Sequence, residues 1–105
     1  MENGDKIYDV EITTTAWEQM LEHSRFLAGI SIDAASNLVD DFVESTSSLS
    51  QMPERCPWLV HDAIPFQKYR KIFFGKYHMA LFEIQNDVVY VTAVIDCRQD
   101  YAWLL

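Results

Sequence analysis

Lys68, Arg70, Lys71 and Lys76 fall within nine residues and supply half of the chain's eight Lys and Arg. Arg98 follows some twenty positions later. Cations mounted on and beside a rigid sheet can receive a phosphate backbone. His78 lies between them and is the one near-neutral proton carrier in this region. Tyr101 and Trp103 close the chain and could stack on a base. Together these types suit cleavage of RNA through its own 2′-hydroxyl. That reaction needs a base, an acid and cations around the charged phosphorane. Arg70, Lys71 and Arg98 are the candidate cations; arginine's planar fork matches phosphate oxygens.

Each residue also has a structural reading. Arg70 and Lys71 are adjacent on a strand, so they point to opposite faces, and one of them can simply blunt a sheet edge. Arg98 can pair with Asp96 or Asp100 and fix the chain's exit from the sheet. His78 can serve as a packed or surface histidine, and Tyr101 and Trp103 as a packing tail. His61-Asp62 sits in a proline-rich loop, where neighbours rarely form a catalytic pair. His23 is expected to be exposed on a helix.

These residues need a scaffold, and the sequence specifies one. Residues 7–13 alternate in polarity and predict a strand. Thr15 and Glu18 read as a capping box opening a helix to about Ala28, with Trp17, Met20, Leu21 and Leu27 on its apolar side and Gly29 as the stop. A second helix starts near Ile32 or Asp33. Leu38, Val39, Phe42, Val43, Thr46 and Leu49 form its buried stripe, and Pro53 ends it. Residues 52–67 hold all three prolines and enough apolar side chains to pack on the domain. Strands follow at 69–74, 77–85 and 88–96, with turns at Gly75-Lys76 and Asn86-Asp87. The last strand is apolar on both faces and belongs inside the sheet. The expected fold is α+β: one domain over residues 1–105, with a strand, an antiparallel helix hairpin and a three-strand meander, the helices on one side of a four-stranded sheet.

Composition narrows the classes. The 105 residues carry a net charge of −8, and half of them are apolar. All of the excess negative charge lies in residues 1–50, so any nucleic-acid contact must use the second half. No apolar run approaches the ~18 residues of a membrane span. The polar, acidic N-terminus has no signal-peptide character, which predicts a cytoplasmic protein without membrane association. Cys56 and Cys97 read as ordinary thiols; no spacing calls for a metal or a cofactor.

The order strand, helix hairpin, meander resembles the RelE/ParE toxin family of bacterial type II toxin–antitoxin pairs. So do the segments MPERCPWL, KYRKIFFGKYHMALFEI and VVYVTAVIDCRQDYAWLL. The family's Tyr-Arg-Lys falls on Tyr69, Arg70 and Lys71. Its arginine, acid and aromatic after the last strand fall on Arg98, Asp100 and Tyr101. RNA-cleaving relatives often have an arginine near the position of His78. The resemblance implies growth inhibition, a role of the plasmid-stabilisation kind, and a cognate antitoxin laid across the toxin as an extended or helical tail. It implies either metal-independent cleavage of mRNA on the ribosome or poisoning of DNA gyrase. Under it, Arg70, His78, Arg98 and Tyr101 would be catalytic, and Lys68, Lys71, Lys76 and Trp103 would contact the target. The acidic charge, and Arg98-Gln99 where relatives often have two arginines, depart from the ribosome-dependent members. A non-catalytic module of the same fold, acting only in co-repression, is the alternative. A homodimer is left open.

Overall fold

The computed structural model describes residues 6–98. Tyr101 and Trp103 lie outside the described residues. The elements are β1 (Asp9–Ile12), α1 (Thr14–Ala28), α2 (Ile32–Ser47), β2 (Arg70–Phe74), β3 (His78–Gln85) and β4 (Val88–Asp96). Single 3-10 turns at Ser48–Ser50 and Pro53–Arg55 follow α2. The sheet order is β1-β4-β3-β2, parallel between β1 and β4 and antiparallel elsewhere. The expected α+β fold is therefore present, with β4 in the interior of the sheet as its apolar character requires.

The first helix begins two residues earlier than its capping-box reading. Thr13, not Thr15, is the cap: it leaves β1 in an extended conformation and its side chain accepts the Ala16 N–H at 3.2 Å. Its own amide donates to the Val91 carbonyl, which pins the strand–helix junction to the sheet. Gly29 does follow the helix, but with φ −66° it stays right-handed, so it is no left-handed cap. Ser31 caps α2 by accepting the Ala34 N–H. α2 ends at Ser47, before the expected stop at Pro53. Leu21 of α1 and Val43 of α2 are exposed and are corrections to the predicted apolar stripes.

Both sheet faces are covered. On one face Met20, Leu38, Phe42 and Leu49 pack against Phe74, Ala80, Phe82, Val89, Val91 and Val94. On the other, Leu59 and Ile64 of the connector and Tyr69 cover Met79, Leu81, Ala93 and Ile95. A bulge explains why β4 is apolar on both sides. Leu81 pairs with Ala93 and Phe82 with Val91, so Thr92 is the extra residue. Val89 and Val91 face the helices before it; Val94 returns to that face after it. The β1–β4 pairing ends at Ile12 and Val91, and beyond it the Val94 N–H is taken by the Gln19 side chain of α1 at 2.8 Å. An orphaned buried amide is thereby avoided.

Candidate functional site

The register divides the predicted cations. Arg70 stands opposite Phe82, whereas Phe74 stands opposite His78, and His78 opposite Asp96. Arg70 is thus four residues, roughly 13 Å, along β2 from the His78 end of the sheet. The single cationic cluster read from the sequence does not form.

Arg70 is engaged within the fold. Its Nη1 donates to the Glu54 and Cys56 carbonyls at 3.1 and 2.7 Å, and its guanidinium lies 3.9 Å from the centre of the Trp58 ring. These contacts hold the connector against the outer edge of β2. Main-chain bonds from Leu59 N–H to Tyr69 and from Lys71 N–H to Pro57 do the same. Lys68 makes a long ion pair with Glu83 at 3.8 Å and lies near the Tyr69 ring. Lys71 reaches over the exposed Phe73 ring. Lys76 is exposed in the turn before β3.

A cleft of about 390 Å³ opens at the other end of the sheet, below the tip of the helix hairpin. Phe26, Leu27, Ile30 and Leu38 form its apolar wall, and Glu22, His23, His78, Asp96 and Arg98 its polar end. Asp96 and Arg98 form a fork-to-fork pair. Nε donates to Oδ1 at 3.0 Å, Nη2 to Oδ2 at 2.7 Å, and the Arg98 amide also donates to Oδ1 at 2.9 Å. Of the two partners weighed for Arg98, the described residues show Asp96. The guanidinium is 58% exposed and rests 4.4 Å from the Tyr77 ring centre.

His78 is buried, only 8% exposed, and packs between Phe74 and His23, with ring centroids at 5.4 and 5.2 Å. Burial, then the neighbouring His23, then Arg98 push its pKa below the ordinary imidazole value, with Asp96 opposing. His78 is therefore neutral at pH 7 and screened by a helix. His23, expected to be exposed, is half-buried, and its Nδ1 is buried with no hydrogen-bond partner. The sequence held the signal: His23 is three residues after Met20 and four before Leu27, on the buried stripe of α1. His61 accepts the Ala63 N–H at Nδ1, a local turn contact.

The Arg98 hydrogen bonds hold the Asp96 pKa at about 2, below its usual 3.8. Because the folded value is the lower one, Asp96 stabilises the fold fully above about pH 3.8 and loses that contribution as pH falls towards 2. Asp96→Asn is expected to remove this acid limb from a plot of denaturation midpoint against pH. An unchanged limb would mean that the pair adds nothing.

Among the described residues no group of three or more His, Cys, Asp or Glu could hold a metal, and no helix is long and apolar enough to cross a membrane. Cys56 is buried and Cys97 exposed, both as free thiols. What this end of the sheet assembles is a locked ion pair, two imidazoles and an apolar wall.

The architecture has a solved counterpart. A chain from the chromosomal ParDE TA system of P. aeruginosa superposes with a TM-score of 0.70 at 15% identity, over 88% of this chain and 98% of that one. The likeness is one of fold. No family model and no curated protein matches the sequence.

Proposed function

We propose that this chain is the toxin component of a type II toxin–antitoxin module, acting on a protein target such as DNA gyrase and neutralised by a cognate antitoxin. The fold shared with the ParDE chain supports the module. One observation favours a protein target over RNA: both sheet arginines are already engaged. Arg70 is held by two carbonyls and an indole, and Arg98 by both oxygens of Asp96. The remaining proton carrier, His78, is buried and neutral. Phosphorane stabilisation needs donors pre-aimed at developing charge, and re-aiming these would first break their present bonds. The acidic surface of residues 1–50 likewise opposes docking on RNA.

The same engagement of the arginines favours a second reading, a module that no longer inhibits growth and serves only in co-repression. Controlled induction in a bacterial host separates the two. The toxin reading expects growth arrest, relieved by co-expression of a cognate antitoxin. Unimpaired growth at full expression would leave co-repression.

A further inference from the structure

We infer that the His23–His78 contact is an acid-sensitive latch: protonation of His78 releases the tip of the helix hairpin from the end of the sheet and opens the cleft beneath it. The inference concerns the fold and holds whether or not the chain is a toxin.

The geometry sets two imidazoles against each other across an interface. His23 comes from the second half of α1 and His78 from the first position of β3, with ring centroids 5.2 Å apart. The charged and titratable groups around them are few. From α1 come His23 itself and Glu22, which is exposed at the cleft rim. From β4 come Asp96 and Arg98. The sides contributed by β2 and α2 are apolar, Phe74 and Leu38. Among the described residues Asp96 is the carboxylate at the His78 end of the sheet, and each of its oxygens already accepts from Arg98.

A proton on His78 would therefore place a cation in a buried position, beside a second imidazole and near a guanidinium, opposed among the described residues by Asp96, which already accepts from Arg98 at both oxygens. Such a charge must be hydrated or paired. The easiest route for water is along the cleft, because the walls of the hairpin tip are already open: Phe26 and Ile30 are 75% and 74% exposed. The rest of the hairpin stays fixed by Ala16, Met20 and Phe42, each fully buried. Opening is thus confined to the stretch from about residue 22 to the start of α2, a local event rather than global unfolding.

The sign follows from burial. A histidine whose folded pKa lies below its unfolded one stabilises the closed form above the unfolded value and loses that contribution as pH falls. The latch is closed at neutral pH and loosens under mild acid.

The test combines NMR titration of both imidazoles with amide exchange of α1, in the wild type, His78→Phe and His23→Gln. In the wild type, His78 is expected to titrate below an exposed imidazole. Between about pH 7.5 and about pH 5.5, protection factors at residues 22–28 should fall by roughly threefold or more, while those of β3 and β4 hold. His78→Phe keeps a ring against Phe74 and should abolish that fall. His23→Gln removes the neighbouring imidazole, should raise the His78 midpoint, and should shrink the fall; it serves alone if the Phe variant does not fold. Protection that does not change with pH in the wild type, or that falls equally in both variants, would overturn the latch.

Discussion

Phe42→Ala is expected to destabilise the protein by about 3–5 kcal/mol, a large share of the ~5–15 kcal/mol that holds a domain folded. Phe42 is fully buried. Its ring meets Trp17 of α1 edge-on at 5.3 Å and Phe74 of β2 at the same distance. One side chain on α2 thus joins the other helix to the sheet edge, so truncation loosens three elements together. The side chains packed around it are largely apolar, and the void left would stay largely unfilled. The thermal midpoint should drop by roughly 12 °C or more. A shift of only about 4 °C would show that α1 and α2 can close over the void and that the ring is not the joint described.

Gly75→Val is the second large effect, expected at about 2–3 kcal/mol from two causes. Gly75 has φ +59°, where a β-branched residue is strained. A Cβ there would also lie 3.2 Å from Leu38 Cδ1 of α2, tighter than ordinary contact. The turn between β2 and β3 is therefore shaped by backbone freedom and by the helix above it. Gly75→Asn tests the first cause apart from the second, since asparagine tolerates the left-handed region but still carries a Cβ. It should lose about half as much. Equal losses for the two variants in urea denaturation would assign the whole effect to crowding against Leu38.

The elements were legible because they rest on local signals. The alternation and flanking turns of β3 and β4 are short-range, and Asn86, with φ 56°, supplies the positive φ that its turn signal implied. The spacing of Leu38, Phe42 and Thr46 marks α2 in the same way. The start of α1 was misread because two threonines compete there. Thr13 wins through a bond to Val91, a residue far along the chain. Leu21 and Val43 were placed inside by helical spacing, but a two-layer domain covers a narrower stripe than spacing alone suggests.

The site was harder to read, for a physical reason. A cation's availability depends on what the fold places against it, often from distant sequence. Arg70 is spent on carbonyls of Glu54 and Cys56, in a loop whose path no local pattern reveals. The pairing of Arg98 with Asp96 was foreseeable, being two residues apart. That the same Asp96 stands opposite His78 was not, because it needs the register of β3 on β4. His23 joined the site through α1, whose rotation over the sheet is set by Met20 and Leu27.

The proposed protein target rests on engaged arginines and a buried, neutral histidine, which are poorly placed for RNA cleavage. Following mRNA ends and DNA breaks in one culture after induction decides between the two targets. A protein-directed toxin of the gyrase-poisoning kind gives gyrase-dependent breaks and a DNA-damage response, with mRNA ends unchanged in the first minutes. Rapid new mRNA ends at ribosome-engaged codons, lost in His78→Ala or Arg98→Ala, would contradict it.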